Sequence, residues 1–182
     1  AAGYYRLPIV MIAVNRTLGP PWNIWVDQGD SLMFRDAPWI QFYCDSHQDL
    51  VDTILLAFRV AEDARVLLPV VVAMDGFVTS HTQMVVELPE QELIDEFLPQ
   101  CHVPHRLSHD HPTTIGGMTW PRETAHHRRE IQRAMDRVPE ALGDALEEFE
   151  EVFGRRPIGV LGEEGVDDAE TILVACNTMS RT

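Results

Sequence analysis

Lysine is absent from this sequence. Its 182 residues carry 29 aspartates and glutamates against 14 basic side chains, all of them arginine, for a net charge of −15. Phosphate backbones and anionic bilayers need clustered cations, so a chain this acidic is excluded from sequence-independent nucleic-acid binding and from membrane-surface attachment. The excess acid also serves solubility. Long apolar runs are lacking as well. None approaches the roughly 20 residues of a membrane-spanning helix, and no signal-peptide pattern stands at the start. Cysteine is scarce: Cys44, Cys101 and Cys176 lie far apart, with no C-x-x-C spacing. Neither a disulfide framework nor a cysteine-ligated iron–sulfur cluster is expected within the chain, and a reducing cytoplasm fits. There is no initiator methionine, and the sequence stops at CNTMSRT directly after a strand-like run, so a piece of a longer polypeptide is expected.

What is present is a chain that is 45% apolar, enough for one full domain or parts of two. LPIVMIAV (residues 7–14) reads as a buried strand. Residues 46–64 read as a helix capped by Asp45 or Ser46, with a stripe of Val51, Ile54, Leu55, Phe58 and Ala61. VLLPVVVAM (66–74) reads as a second buried strand, so strand, helix and strand suggest a parallel βαβ unit. A short acidic helix over 90–98 follows. From 99 to 121 proline, histidine, threonine and glycine mark an irregular connector. Residues 122–153 read as charged helices divided at Pro139, the second with a stripe of Leu142, Leu146, Phe149 and Phe153 and a stop at Gly154. DDAETILVAC (167–176) reads as the first strand of a new α/β unit.

In an open parallel sheet, ligands bind beyond the carboxyl ends of the strands. Asn15 and Arg16 follow the first strand, and Asp75 and Gly76 follow the second. If those strands are neighbours, both loops open on one edge, where Arg16 is placed to hold a carboxylate through a two-pronged pair. Pro20 and Pro21 stiffen that loop, and Trp22 and Trp25 exclude water from it. The alternative is structural: Arg16 bridges to Asp27 or Asp30, and the tryptophans are core. Asp75 reads as a cap of its own turn. His81 offers it an acid–base partner, but no nucleophile stands in a recognisable elbow. His102, His105, His109, His111, His126 and His127 crowd a short stretch without the regular spacing of metal ligands, and no metal site is expected there.

The segments RLPIVMIAVNRTLGPPWNIWVDQGDSLMFRDAPWIQFY (6–43), VAEDARVLLPVVVAMDGFVTSHT (60–82) and PEQELIDEFLP (89–99) closely resemble the 2-oxoacid:ferredoxin oxidoreductases, most of all the α subunit of the pyruvate synthase type. The resemblance implies an α/β fold. It places the C-terminal part of a parallel-sheet, pyrimidine-type thiamine-diphosphate-binding domain over 1–99 and a connector with charged helices over 100–160. The first strand of a truncated transketolase C-terminal-like domain would fall in 161–182. It implies oxidative decarboxylation of a 2-oxoacid, with pyruvate the first choice, to acyl-CoA and CO₂, with electrons passed to ferredoxin. Thiamine diphosphate and Mg²⁺ would be shared with a β subunit, CoA would be co-substrate, and [4Fe-4S] clusters would sit on other subunits, β, γ and δ being the partners. In the family the arginine at the position of Arg16 binds the substrate carboxylate, and Trp22 and Ile24 would line the pocket. The activating glutamate would lie upstream of residue 1, so no catalytic residue is expected in this chain. Trp22 and Pro38 depart from the smaller aliphatic residue and the glycine usual in relatives, which bears on substrate choice. A non-catalytic assembly or binding module of the same fold is the competing reading.

Overall fold

The computed structural model describes residues 1–104 and 106–181; His105 of the histidine-rich stretch and Thr182 lie outside the described residues. Three short strands, β1 (Val10–Asn15), β2 (Ile40–Tyr43) and β3 (Val70–Asp75), form an open parallel sheet in the order β1-β3-β2. The two strands expected from the sequence are indeed neighbours, with Val10 beside Val70 and Asn15 beside Asp75. β2 is an addition. It contributes four residues, too few to display a period, and pairs Ile40 with Val70 on the other side of β3.

β3 is central, and Val70, Val71, Val72 and Ala73 are fully buried, as a continuous apolar run between two neighbours requires. β1 is not the buried strand expected. It is an edge strand, and Ile12 and Val14 are exposed.

Helix α1 (Gly29–Leu32) is a single turn, and α2 (His47–Ala61) links β2 to β3. The Ser46 hydroxyl caps α2 by accepting the Asp49 N–H at 3.2 Å. Its deeply buried side is Leu56, Ala57, Val60 and Ala61, while Phe58 is partly exposed. The expected stripe is therefore rotated, because α2 packs on the sheet and on α5 (Val138–Phe153) at once. Helix α3 (Gln91–Phe97) presents Phe97 to the Phe149 ring of α5, edge to face at 5.4 Å. Leu142, Leu146 and Phe149 of α5 share one apolar cluster with Leu56, Val60 and Val70, so the core runs without a break across residue 99. Helix α4 (Pro121–Asp136) is largely exposed and buries Ile131 and Ala134. Pro139 sits in the first turn of α5, and Gly154, at φ 68°, ends it in the left-handed conformation.

Residues 167–176, expected as a strand, join no sheet among the described residues and leave Ile172, Leu173 and Val174 exposed. A strand is held by its neighbour's backbone groups, and none of the described residues supplies them there. No helix is long and apolar enough to cross a membrane.

Cys44, at the end of β2, is buried, and its thiol is pushed up to about 12, first by burial and then by the Asp49 carboxylate. Kept neutral in the fold, it contributes stability that is complete below its ordinary value of 9.0 and is lost as pH rises from there to about 12. Iodoacetamide at pH 8, followed by mass spectrometry, is expected to label exposed Cys176 first and Cys44 only on unfolding.

Candidate functional site

The register that sets Asn15 beside Asp75 brings the loop after β1 and the turn after β3 to the same carboxyl edge. They cross closely. Gly76 donates its N–H to the Asn15 carbonyl at 2.9 Å. A β-carbon at Gly76 would overlap that carbonyl and meet the Ile24 carbonyl at 3.2 Å, so only glycine lets the loops approach. A second tie is aromatic: Trp25 meets Phe77 edge to face at 4.2 Å.

Residues 16–25 are closed on themselves. The Thr17 hydroxyl accepts the Asn23 N–H at 2.8 Å and donates to the Asn23 carbonyl at 3.0 Å. Between them the chain reverses through Gly19, at φ 70°, and a cis Pro20–Pro21 bond. Arg16, Trp22 and Ile24 all sit on this loop and all are exposed. The Arg16 guanidinium lies over the Trp22 ring, 4.8 Å from its centroid. It forms no ion pair with an acid among the described residues. Asp30 accepts the backbone N–H groups of Arg16 (3.1 Å) and Ser31 (2.7 Å), and Asp27 accepts that of Gly29. Both acids that offered Arg16 a structural bridge are thus engaged with the main chain.

Beneath the loop lies a buried polar layer that the sequence did not announce. The Asn15 amide donates to the Ser31 hydroxyl at 2.9 Å, Ser31 meets the Tyr43 hydroxyl at 3.0 Å, and Tyr43 donates to Gln41 Oε1 at 2.9 Å. Asp75 does not cap its own turn; the Thr79 hydroxyl does that, donating to the Asp75 carbonyl at 2.7 Å. The Asp75 carboxylate instead receives the Thr178 N–H at 3.0 Å and the Thr178 hydroxyl. Arg181 pairs with Asp45 at 2.9 Å beyond β2, so the turn Asn177–Arg181 covers part of the edge. Asn15 Oδ1, Asp75 Oδ1 and the Asn177 amide are buried without a protein partner among the described residues. His81 faces Ser80 and Phe77, not Asp75.

Two concave surfaces lie away from this edge, beside Arg122, His126 and Arg129 on α4 and between Arg59, Glu62 and Cys101. The loop that carries Arg16 exposes Leu18, Trp22, Ile24 and Trp25. Such an apolar rim fits a wall supplied by another surface. Among the described residues no three histidine, cysteine, aspartate or glutamate side chains converge as metal ligands do.

The family described as pyruvate flavodoxin/ferredoxin oxidoreductase, thiamine diphosphate-binding, matches residues 1–145. Pyruvate synthase subunit PorA of Methanothermobacter thermautotrophicus is 42% identical over 182 residues, which is all of this chain and 47% of the relative. PorA of Pyrococcus horikoshii is 43% identical over 183 residues, all of this chain and 46% of the relative. Ketoisovalerate oxidoreductase subunit VorA of Pyrococcus abyssi is 37% identical over 178 residues, 97% of this chain and 45% of the relative. The chain spans about half the length of the curated relatives it matches.

Proposed function

Because the chain belongs to the pyruvate flavodoxin/ferredoxin oxidoreductase family, in its thiamine diphosphate-binding part, we propose that it works within the α subunit of a 2-oxoacid:ferredoxin oxidoreductase that converts pyruvate to acyl-CoA and CO₂. Residues 1–99 are then the C-terminal part of a pyrimidine-type domain and 100–160 a connector, although they share a core. Residues 161–182 lead into a transketolase C-terminal-like domain.

The observation that carries this reading is Arg16: a guanidinium at the carboxyl edge of a parallel sheet, on an exposed apolar loop, paired with no acid among the described residues. Arginine's planar fork matches a carboxylate through two N–H donors, and a dry wall strengthens the pair. Trp22 and Ile24 supply that wall and keep water from the reacting end of the substrate, which favours loss of a carboxylate whose charge water would stabilise. The exposed loop fits the ring end of thiamine diphosphate, being apolar, with Leu18, Trp22, Ile24 and Trp25 turned to its surface. The loop fits neither the cofactor's diphosphate nor Mg²⁺: Arg16 is the only base in residues 7–34, Arg181 at the same edge is paired with Asp45, and no metal-ligand cluster forms among the described residues. Those belong with a β subunit. When bound, the cofactor supplies the nucleophilic carbon and the electron sink for decarboxylation. The electrons would leave through [4Fe-4S] clusters on other subunits, γ and δ included, to ferredoxin, and CoA would take the acyl group.

The test uses the complete enzyme, assembled with its partner subunits. Reduction of ferredoxin should require a 2-oxoacid and CoA together, and pyruvate should give a higher kcat/KM than 3-methyl-2-oxobutanoate. An assembled complex that neither retains thiamine diphosphate nor reduces ferredoxin would identify a non-catalytic module. Preference for the branched acid would move the assignment to the ketoisovalerate type, named in VorA, to which this chain is also similar.

A further inference from the structure

We propose that Trp22 is a positioning residue for Arg16, holding the guanidinium plane while leaving its donors free for the substrate; this rests on the reading of Arg16 as the carboxylate-binding group. The observation is the cation–π contact, with Arg16 Cζ over the Trp22 ring 4.8 Å from its centroid, together with the way the loop enforces it. The Arg16 main chain is fixed at one end of the loop by Asp30 at 3.1 Å, and Trp22 is fixed at the other by the two hydrogen bonds between Thr17 and Asn23. Asn23 further holds the next turn, its side-chain oxygen accepting the Trp25 N–H at 2.9 Å. The indole is therefore carried by a closed loop, not by a free segment.

An arginine side chain is long and flexible, and ordering it opposes binding. Proteins commonly order an arginine with a structural carboxylate, but such a pair occupies the N–H donors that a substrate carboxylate would use. A cation–π contact works differently. The ring attracts the cation through its π-electrons and supplies no carboxylate oxygen, so it does not take up the N–H donors as an acid would. Trp22 thus pre-orients the cation without competing for it, which lowers the entropic cost of the substrate pair. Asp27 and Asp30 are close in sequence, but both are held by main-chain N–H groups, and neither forms an ion pair with Arg16. The tryptophan is therefore more than a wall: its effect on the substrate runs through Arg16.

A double-mutant cycle in the complete enzyme tests this. Trp22→Leu should raise KM for the 2-oxoacid roughly 3- to 30-fold, the range expected of a cation–π contact between exposed and desolvated settings. The change should fall on KM for the oxoacid more than on kcat, and KM for CoA should stay as it was. Trp22→Phe should recover part of the loss, since a smaller ring holds the cation less strongly. In an Arg16→Ala background the rise in KM caused by Trp22→Leu should disappear, leaving only what the indole contributes to kcat as a wall. Thiamine diphosphate content and melting temperature of each variant separate these effects from misfolding. If Trp22→Leu does not fold, Trp22→Phe alone still carries the test, with a smaller rise in KM that vanishes in the Arg16→Ala background. The proposal is overturned if Arg16→Ala is impaired but Trp22 variants keep a normal KM. It is equally overturned if the Trp22 effect persists at full size without Arg16, which would make the indole a wall for the acyl group. Normal efficiency in Arg16→Ala itself would instead defeat the carboxylate-binding reading on which the proposal stands.

Discussion

Arg16→Ala in the complete enzyme should lose roughly 30- to 1000-fold in kcat/KM for the 2-oxoacid while retaining thiamine diphosphate. The factor corresponds to about 2–4 kcal/mol, what a charge-assisted pair in a water-poor site contributes when one partner is removed. Retention follows from separation of tasks. Arg16 is exposed over the Trp22 ring, whereas the hydrogen bonds that close the loop, between the Thr17 hydroxyl and the Asn23 main chain and from the Gly76 N–H to the Asn15 carbonyl, do not involve its side chain. Arg16→Lys should recover only part of the loss, because an ammonium lacks the flat two-pronged fork. A structural role would give a different pattern, with lower melting temperature, lost cofactor and little specific change in oxoacid use. The missing ion pair to Asp27 or Asp30 speaks against it. Steady-state kinetics, cofactor content and a thermal melt on the same preparation decide.

The second large effect concerns stability. Asp52 on α2 is buried and is held by Arg155, just past the end of α5, through bonds of 2.8 and 3.1 Å. Gln48 Nε2 is its other donor, at 3.0 Å. Arg155→Met removes the cation and leaves a carboxylate with 6% of its side-chain surface exposed and one neutral partner. Stranding a buried charge in this way costs about 3–5 kcal/mol. The reverse change should be milder, because Arg155 keeps 25% of its side-chain surface exposed and can be hydrated. The double variant Asp52→Leu/Arg155→Met should regain most of the loss, since a well-packed apolar pair often equals a buried ion pair. Denaturant midpoints of the single and double variants measure both effects. Equal, small shifts for both single variants would mean that the pair is solvated in solution.

What could be read from sequence were features written locally. β1 and β3 are continuous apolar runs that stop abruptly at Asn-Arg and Asp-Gly, and these stops place both loops at the sheet's carboxyl edge. The proline in the first turn of α5 and the glycine after it are equally local. β2 escaped because four residues carry no period. The stripe on α2 came out rotated because periodicity presumes one buried face, and α2 has two neighbours. The strand expected at 167–176 has the composition of a strand but no partner alongside it, and pairing is a property of two segments. The same limit hid half of the site. Arg16, Trp22 and Ile24 fall within nine residues of one another and could be named together. Asp75 and Thr178 are 103 residues apart, as are Asp52 and Arg155, and nothing local in either member points to the other.

The open edge of β1 carries a colloidal consequence. A row of backbone donors and acceptors that no strand among the described residues pairs, flanked by exposed Ile12 and Val14, is a template on which a second copy can build a continuous ladder. What opposes that is the charge of −15, which makes copies repel each other before their edges meet. The repulsion extends over a Debye length, about 8 Å at physiological salt and about 3 Å at 1 M. Concentrated salt therefore removes the barrier while leaving the adhesive edge intact. The isolated chain keeps best in dilute buffer well above its isoelectric point of about 4.7, and a surface that pairs or covers β1 would relieve it of that dependence.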